Sequence, residues 1–214
     1  MRVVRRIAPF VLAALLLAAC GGKKPPSDPG RDVLGAFIHA AGRGDRQAMR
    51  RLLSPESQIR VSPAALAVLA RRVRPLAGGF RLVVSERIND DFGLAAAVRR
   101  PTAFGAALRL VDGDWRLELG GPVRIRPLGP RPGARQRRVR QLAAAIDGAI
   151  GGGEALLYLD GFAIPDAKVY RFGKKLSIVA NLPKDVPAGD HSVVVFAGSR
   201  SSANAQAWTF LVPA

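Results

Sequence analysis

Few side chains in this sequence of 214 residues could do chemistry: one cysteine, two histidines and sixteen acids set against thirty-three bases. His39 falls beside an apolar helical stripe, where a structural histidine is the better reading than a general base. His191 opens a strand, and catalysis is not expected of it. Asp90, Asp91 and Glu118 are the acids on or beside the strands of the first half. Asp90-Asp91 reads as a turn, and Glu118 alternates to the face opposite Trp115. Asp160, Asp166 and Asp190 are oxygen ligands of the type calcium takes, but their spacing fits no calcium loop, so solvated turns are expected. A single cysteine excludes an internal disulfide and every Cys-rich zinc module. No Walker loop, no G-x-S-x-G elbow and no metalloprotease motif occurs. No catalytic residue, metal ligand or cofactor is therefore assigned.

Arginine is the conspicuous resource. The formal net charge is +17, and Arg outnumbers Lys by 27 to 6. The excess sits in the middle of the chain, while the last sixty or so residues are nearly neutral. Arg131, Arg135, Arg137, Arg138 and Arg140 form the densest run. Three readings stay open for it: plain solvation in an Arg- and Ala-rich (GC-rich) coding background, contact with anionic lipid or cell-wall polymer, and nucleic acid. Aromatics make up only 6% of the chain and do not interleave with the basic runs, so no base-stacking platform is evident. No nucleic-acid partner is expected.

The N-terminus supplies the location. Met1 to Arg6 is basic, and Ile7 to Ala19 is an uncharged, mostly apolar run of thirteen residues. At about 1.5 Å per residue that run covers roughly 20 Å, short of the ~30 Å hydrocarbon core but right for a signal-peptide core. Leu17-Ala18-Ala19-Cys20-Gly21 then resembles the bacterial lipobox, with the sole cysteine at the modified position. The resemblance implies a signal peptide over 1–19, diacylglyceryl transfer to the Cys20 thiol, and two acyl chains, enough for stable anchoring. Arg5-Arg6 hints at twin-arginine export, though ordinary secretion fits the flanking residues better. Residues 20–30 read as a tether whose Lys23 and Lys24 sit beside lipid headgroups. The expected location is the extracytoplasmic face of the cell membrane.

The elements that follow fall into two units. Val33, Leu34, Phe37, Ile38 and Ala41 recur at helical spacing. Asp45 caps a second short helix ending before Pro55, and Ser62-Pro63 opens a third carrying Leu66, Leu69, Ala70 and Val73. The period then changes to two. Strands are expected near 80–85, 92–99, 104–111 and 115–119, with Asp112-Gly113 as a hairpin turn and a last strand near 123–126. Helices followed by a curved antiparallel sheet make an α+β layout. Phe37-Ile38-His39-Ala40-Ala41, Gly44-Asp45, Met49 to Leu53 and the closing Asp112-Gly113-Asp114-Trp115-Arg116-Leu117 resemble the nuclear-transport-factor-2-like (ketosteroid-isomerase-like) cone over residues 31–128. Enzymes of that superfamily use an Asp, His or Tyr inside the cone as general base, but no residue here matches such a position.

Residues 129–153 read as a basic linker holding a helix over 137–150, with Val139, Leu142, Ile146 and Ala149 as its stripe. Arginines in its first turn oppose the helix dipole. Residues 154–214 show short strands with turns every dozen or so residues, a β-sandwich pattern. Gly189-Asp190-His191-Ser192-Val193-Val194-Val195 and Trp208-Thr209-Phe210-Leu211-Val212 resemble bacterial immunoglobulin-like surface modules, which implies a packing or turn role for His191 and an interaction face for a protein partner. At 61 residues this unit is short for such a sandwich, so a strand is missing from it. The expected whole is a lipid-anchored, non-enzymatic binding or scaffolding protein; the alternative is a small-molecule binder or enzyme using the cone cavity.

Overall fold

Phe92–Arg99 (FGLAAAVR) and Thr102–Val111 (TAFGAALRLV) lack the polar alternation of a strand with one wet face. In the computed structural model, which describes residues 29–148, 153–173 and 175–214, seven consecutive residues of the first and six of the second are buried. Such strands belong in a sheet covered on both sides, and the architecture is built around that need. It is α+β: helices, then three antiparallel four-stranded sheets stacked as layers.

The first layer holds α1 (Pro29–Arg43), α2 (Arg46–Arg51), α3 (Pro55–Arg60) and α4 (Pro63–Val73), extended by a 3-10 turn over Arg74–Gly78. As expected, Asp45 caps α2 by accepting the Ala48 N–H, and Ser62 caps α4 by accepting the Ala65 N–H. The helix α3 was not expected; Ser54 caps it from the serine-proline step that was read only as a stop. The first sheet follows in the order β1 (Arg81–Arg87), β2 (Phe92–Arg99), β3 (Thr102–Val111), β4 (Asp114–Glu118). Its β3–β4 turn is the expected Asp112-Gly113, both at positive φ.

The two faces of that sheet bury different sets. Ala95, Ala97, Phe104, Ala106, Leu108 and Leu117 pack against Leu34, Phe37, Ile38, Met49 and Leu66 of the helices. Phe92, Leu94, Ala96, Val98, Ala103 and Ala107 face the opposite way, onto a second sheet. That sheet runs β12 (Ala203–Val212), β11 (Gly189–Gly198), β7 (Glu154–Leu159), β8 (Phe162–Ala163). It too is buried on both faces: Val194, Phe196, Ala205 and Ala207 meet the first sheet, while Val193, Val195, Trp208 and Phe210 meet a third. Small residues let the layers approach. A Cβ on Gly105 would come within 2.9 Å of the Ala207 nitrogen, so only glycine fits where β3 meets β12.

The third sheet, β5 (Arg124–Gly129), β6 (Gln141–Asp147), β10 (Lys175–Asn181), β9 (Lys168–Phe172), closes a β-sandwich with the second. This corrects two expectations. The helix expected over 137–150 does not form among the described residues of that span: Gln141–Asp147 is a strand paired with β5 and β10. Leu142, Ala144 and Ile146 alternate into the sandwich core beside Val123, Ile125 and Val139. A run of three alanines satisfies a period of two as readily as 3.6, and pairing with two neighbours decided between them. The sandwich accordingly draws on residues 123–147 as well as 154–214, and β5 and β6 are the strands that the shorter segment lacks.

Candidate functional site

The arginine run lies between β5 and β6: a turn at Pro132-Gly133, closed by the Ala134 N–H on the Arg131 carbonyl at 3.0 Å, leads into a stretch along the free edge of β12. Its backbone is used as a strand's would be. The Gly133 N–H donates to the Thr209 carbonyl at 2.8 Å, the Gln136 N–H to Leu211 at 2.9 Å, and Leu211 N–H returns a bond to Ala134 at 2.8 Å. Arg135 bridges Leu211 in parallel register, and the buried Trp208 donates its indole N–H to the Pro130 carbonyl at 2.8 Å. Backbone groups committed this way cannot also close helical turns. The segment covers an edge that would otherwise invite pairing.

With the main chain fixed, the side chains are presented outward. Arg131, Arg135, Arg137 and Arg138 are all exposed, and among the described residues none of these four has a salt bridge. Arg140 differs: its Nε lies 3.0 Å from Asp185 Oδ1, so its charge is partly neutralised. Cys20, Lys23 and Lys24 lie outside the described residues. No helix among the described residues is long and apolar enough to cross a membrane.

Glu118, placed by sequence on the face opposite Trp115, is a buried charge at the end of β4. Its side chain is 0% exposed. Ser54 Oγ donates to Oε2 at 2.6 Å, Arg109 Nε to Oε2 at 3.2 Å and Arg60 Nη1 to Oε1 at 3.2 Å. Ser57 Oγ, 2.8 Å from Ser54 Oγ, accepts the Leu119 N–H at 2.8 Å. Arg109 reaches on to the Ser201 carbonyl at 2.8 Å and stacks over Phe92, 4.7 Å from the ring centroid. The cluster ties α3, β3, β4 and the β11–β12 turn together. Every oxygen of Glu118 is engaged by a donor, so it is arranged as a structural clasp. The separate residues Ser54, Ser57, Arg60 and Arg109 carried no sequence signal as a group.

Asp160 and His191 form a second polar cluster. His191 Nδ1 is 2.7 Å from Asp160 Oδ2, and its Nε2 is 2.8 Å from the Pro187 carbonyl. Asp160 Oδ1 accepts the Ser192 N–H at 2.7 Å. Both ring nitrogens are thus occupied within the fold, in keeping with the packing and turn role expected of His191. His39 is exposed on α1 with its ring 6.3 Å from that of Phe80. Asp90 and Asp91 sit in the β1–β2 turn, where Asp90 pairs with Arg87 at 2.8 Å and Asn89 Oδ1 accepts the Asp91 and Phe92 N–H groups. Asp190 pairs with Arg100 across the first and second sheets, and Asp166 lies in the turn before β9. Among the described residues no group of three His, Cys, Asp or Glu side chains is placed to hold a metal ion.

Tyr158 joins the two central sheets. It is buried and donates to Glu86 Oε2 at 2.9 Å. Burial pushes its phenol well above the usual tyrosine range, and the hydrogen bond and charge of Glu86 act in the same direction.

No protein-family model matches the chain, and no curated protein matches it. Among solved structures, the chain is similar to PcoC, a methionine-rich copper-resistance protein from Escherichia coli. The identity is 18% over 40% of this chain and 97% of that one, with a TM-score of 0.29. A likeness at that score bears on neither ligand nor activity.

Proposed function

We propose that this chain is a lipid-anchored extracytoplasmic protein that acts as a non-enzymatic binding module, with Arg131, Arg135, Arg137 and Arg138 as its contact to anionic lipid or cell-wall polymer. The observation that carries this reading is the arginine segment itself. Its backbone is tied to β12 through Gly133, Ala134 and Gln136, and among the described residues the side chains of these four arginines have no carboxylate partner. Where the main chain is already held, it is chiefly side-chain freedom that is lost on meeting a surface. Each basic residue brought close to an anionic membrane contributes about 1 kcal/mol. The acyl chains on Cys20 hold the protein at that surface, and Lys23 and Lys24 add charge beside it.

The helical layer and first sheet keep their likeness to the cone superfamily as part of this proposal, and the sandwich its likeness to immunoglobulin-like modules, with an open face for a protein partner. The space between helices and sheet favours a scaffold over a small-molecule binder or enzyme using a cavity there. It is filled by Leu34, Phe37, Ile38, Met49 and Phe104, with Phe37 stacked on Phe104 at 5.7 Å between ring centroids. The charge reading is tested by titrating salt against binding to anionic vesicles; binding that ignores ionic strength overturns it. The anchor is tested by Cys20→Ala, which should leave an unlipidated precursor. A variant that keeps the wild-type lipid mass overturns the anchor.

A further inference from the structure

The helical layer carries a second cationic feature, separate from the arginine ridge. On α4 and its 3-10 extension, Ala67, Ala70, Arg71 and Arg74 recur at helical spacing and so share one side. Opposite them stands the α1–α2 turn with Gly44 and Arg46. Between the two lies a cleft of about 280 Å³ lined by these six residues. The nearest acid in the turn, Asp45, is engaged in capping α2. Among the described residues, none of the guanidinium groups of Arg46, Arg71 and Arg74 has a hydrogen bond or an ion pair. Arg74 reaches across to the turn: its Nη2 lies 3.7 Å from where a Cβ on Gly44 would stand, ordinary contact distance. Three like charges around one cleft repel each other, and an anion held between them relieves that repulsion.

We infer that this cleft binds a phosphoryl oxyanion, either free or as the headgroup of an anionic lipid. Guanidinium forks match the tetrahedral oxygens in bidentate fashion. The methyl groups of Ala67 and Ala70 form an apolar floor suited to the ester carbons rather than to a second charge. The site is independent of the arginine ridge between β5 and β6.

The test uses the full chain, its Arg71→Gln/Arg74→Gln variant and, as a control, Arg137→Gln/Arg138→Gln. Inorganic phosphate is titrated by calorimetry, and vesicles of phosphatidylglycerol are compared with vesicles of phosphatidylcholine. Both altered arginines of the cleft are exposed, and far-UV circular dichroism checks that the fold is kept. Phosphate binding weakened about tenfold or more in R71Q/R74Q, and unchanged in R137Q/R138Q, supports a site for free phosphate. Preference for phosphatidylglycerol that R71Q/R74Q loses, without phosphate binding, supports the headgroup source. Absence of both kinds of binding overturns the inference. So does binding that R71Q/R74Q leaves intact, or vesicle preference lost only in R137Q/R138Q, which would leave the arginine ridge as the sole contact.

Discussion

Replacing Glu118 with Ala should be among the most damaging single changes to the helical half. The carboxylate is fully buried and accepts from Ser54, Arg60 and Arg109. Removing it leaves Arg109, only 17% exposed, without its anion, while Arg60, at 36%, regains water. The loss is therefore concentrated in the Arg109 and Ser54 contacts. Breaking a buried ion pair by deleting one partner costs about 3–5 kcal/mol, and a hydrogen bond to a charged group is worth about 1.5–3 kcal/mol. Urea unfolding of E118A should thus show a midpoint shift equivalent to about 4 kcal/mol. E118Q, which keeps shape and one acceptor, should lose about half of that. The paired change E118L/R109M removes the carboxylate together with its less exposed arginine, leaves Arg60 to solvent, and should recover part of the loss. A loss under about 1 kcal/mol in E118A would refute the reasoning, because a buried, uncompensated guanidinium cannot be that cheap.

Alkaline titration should be sensitive to Tyr158. Its folded pKa is raised, so its contribution to stability is complete below the unfolded value of about 10 and declines as pH climbs from there towards the folded value. Denaturant midpoints between about pH 9 and 11.5 should fall more steeply for wild type than for Tyr158→Phe. Gly105→Val forces a side chain into the Ala207 backbone of β12 and should lower stability by about 1–3 kcal/mol, read as a drop in thermal midpoint. Asp160→Ala strips the Ser192 N–H and His191 of their acceptor. It should cost about 1–3 kcal/mol and speed amide exchange at Ser192.

The helical caps and the strand periods of the first half are written in local sequence. Asp45 and Ser62 cap where their side chains can reach an N–H three residues on, and Asp112-Gly113 turns because both tolerate positive φ. The helix expected over 137–150 failed for a non-local reason. Ala143, Ala144 and Ala145 fit either period, and only the facing strands β5 and β10, the latter some thirty residues further along, turn the segment into sheet. The arginines at its start were a local warning, since they oppose a helix dipole. Here they follow the edge of β12, a partner more than seventy residues away. Glu118 could be placed on a strand face but not among its arginines, because Arg60 and Arg109 arrive through separate elements. In sequence β2 and β3 read as strands but not as strands buried on both faces, although both carry unbroken apolar runs.

The arginine ridge is tested most directly by vesicle binding. The full chain and its R131Q/R137Q/R138Q variant are titrated with anionic vesicles from about 50 to 300 mM salt, with binding to neutral vesicles subtracted to remove the anchor's share. Three surface arginines at about 1 kcal/mol each predict a loss of up to about a hundredfold at low salt, shrinking as salt rises. Equal affinity and equal salt dependence in the two proteins would contradict the account.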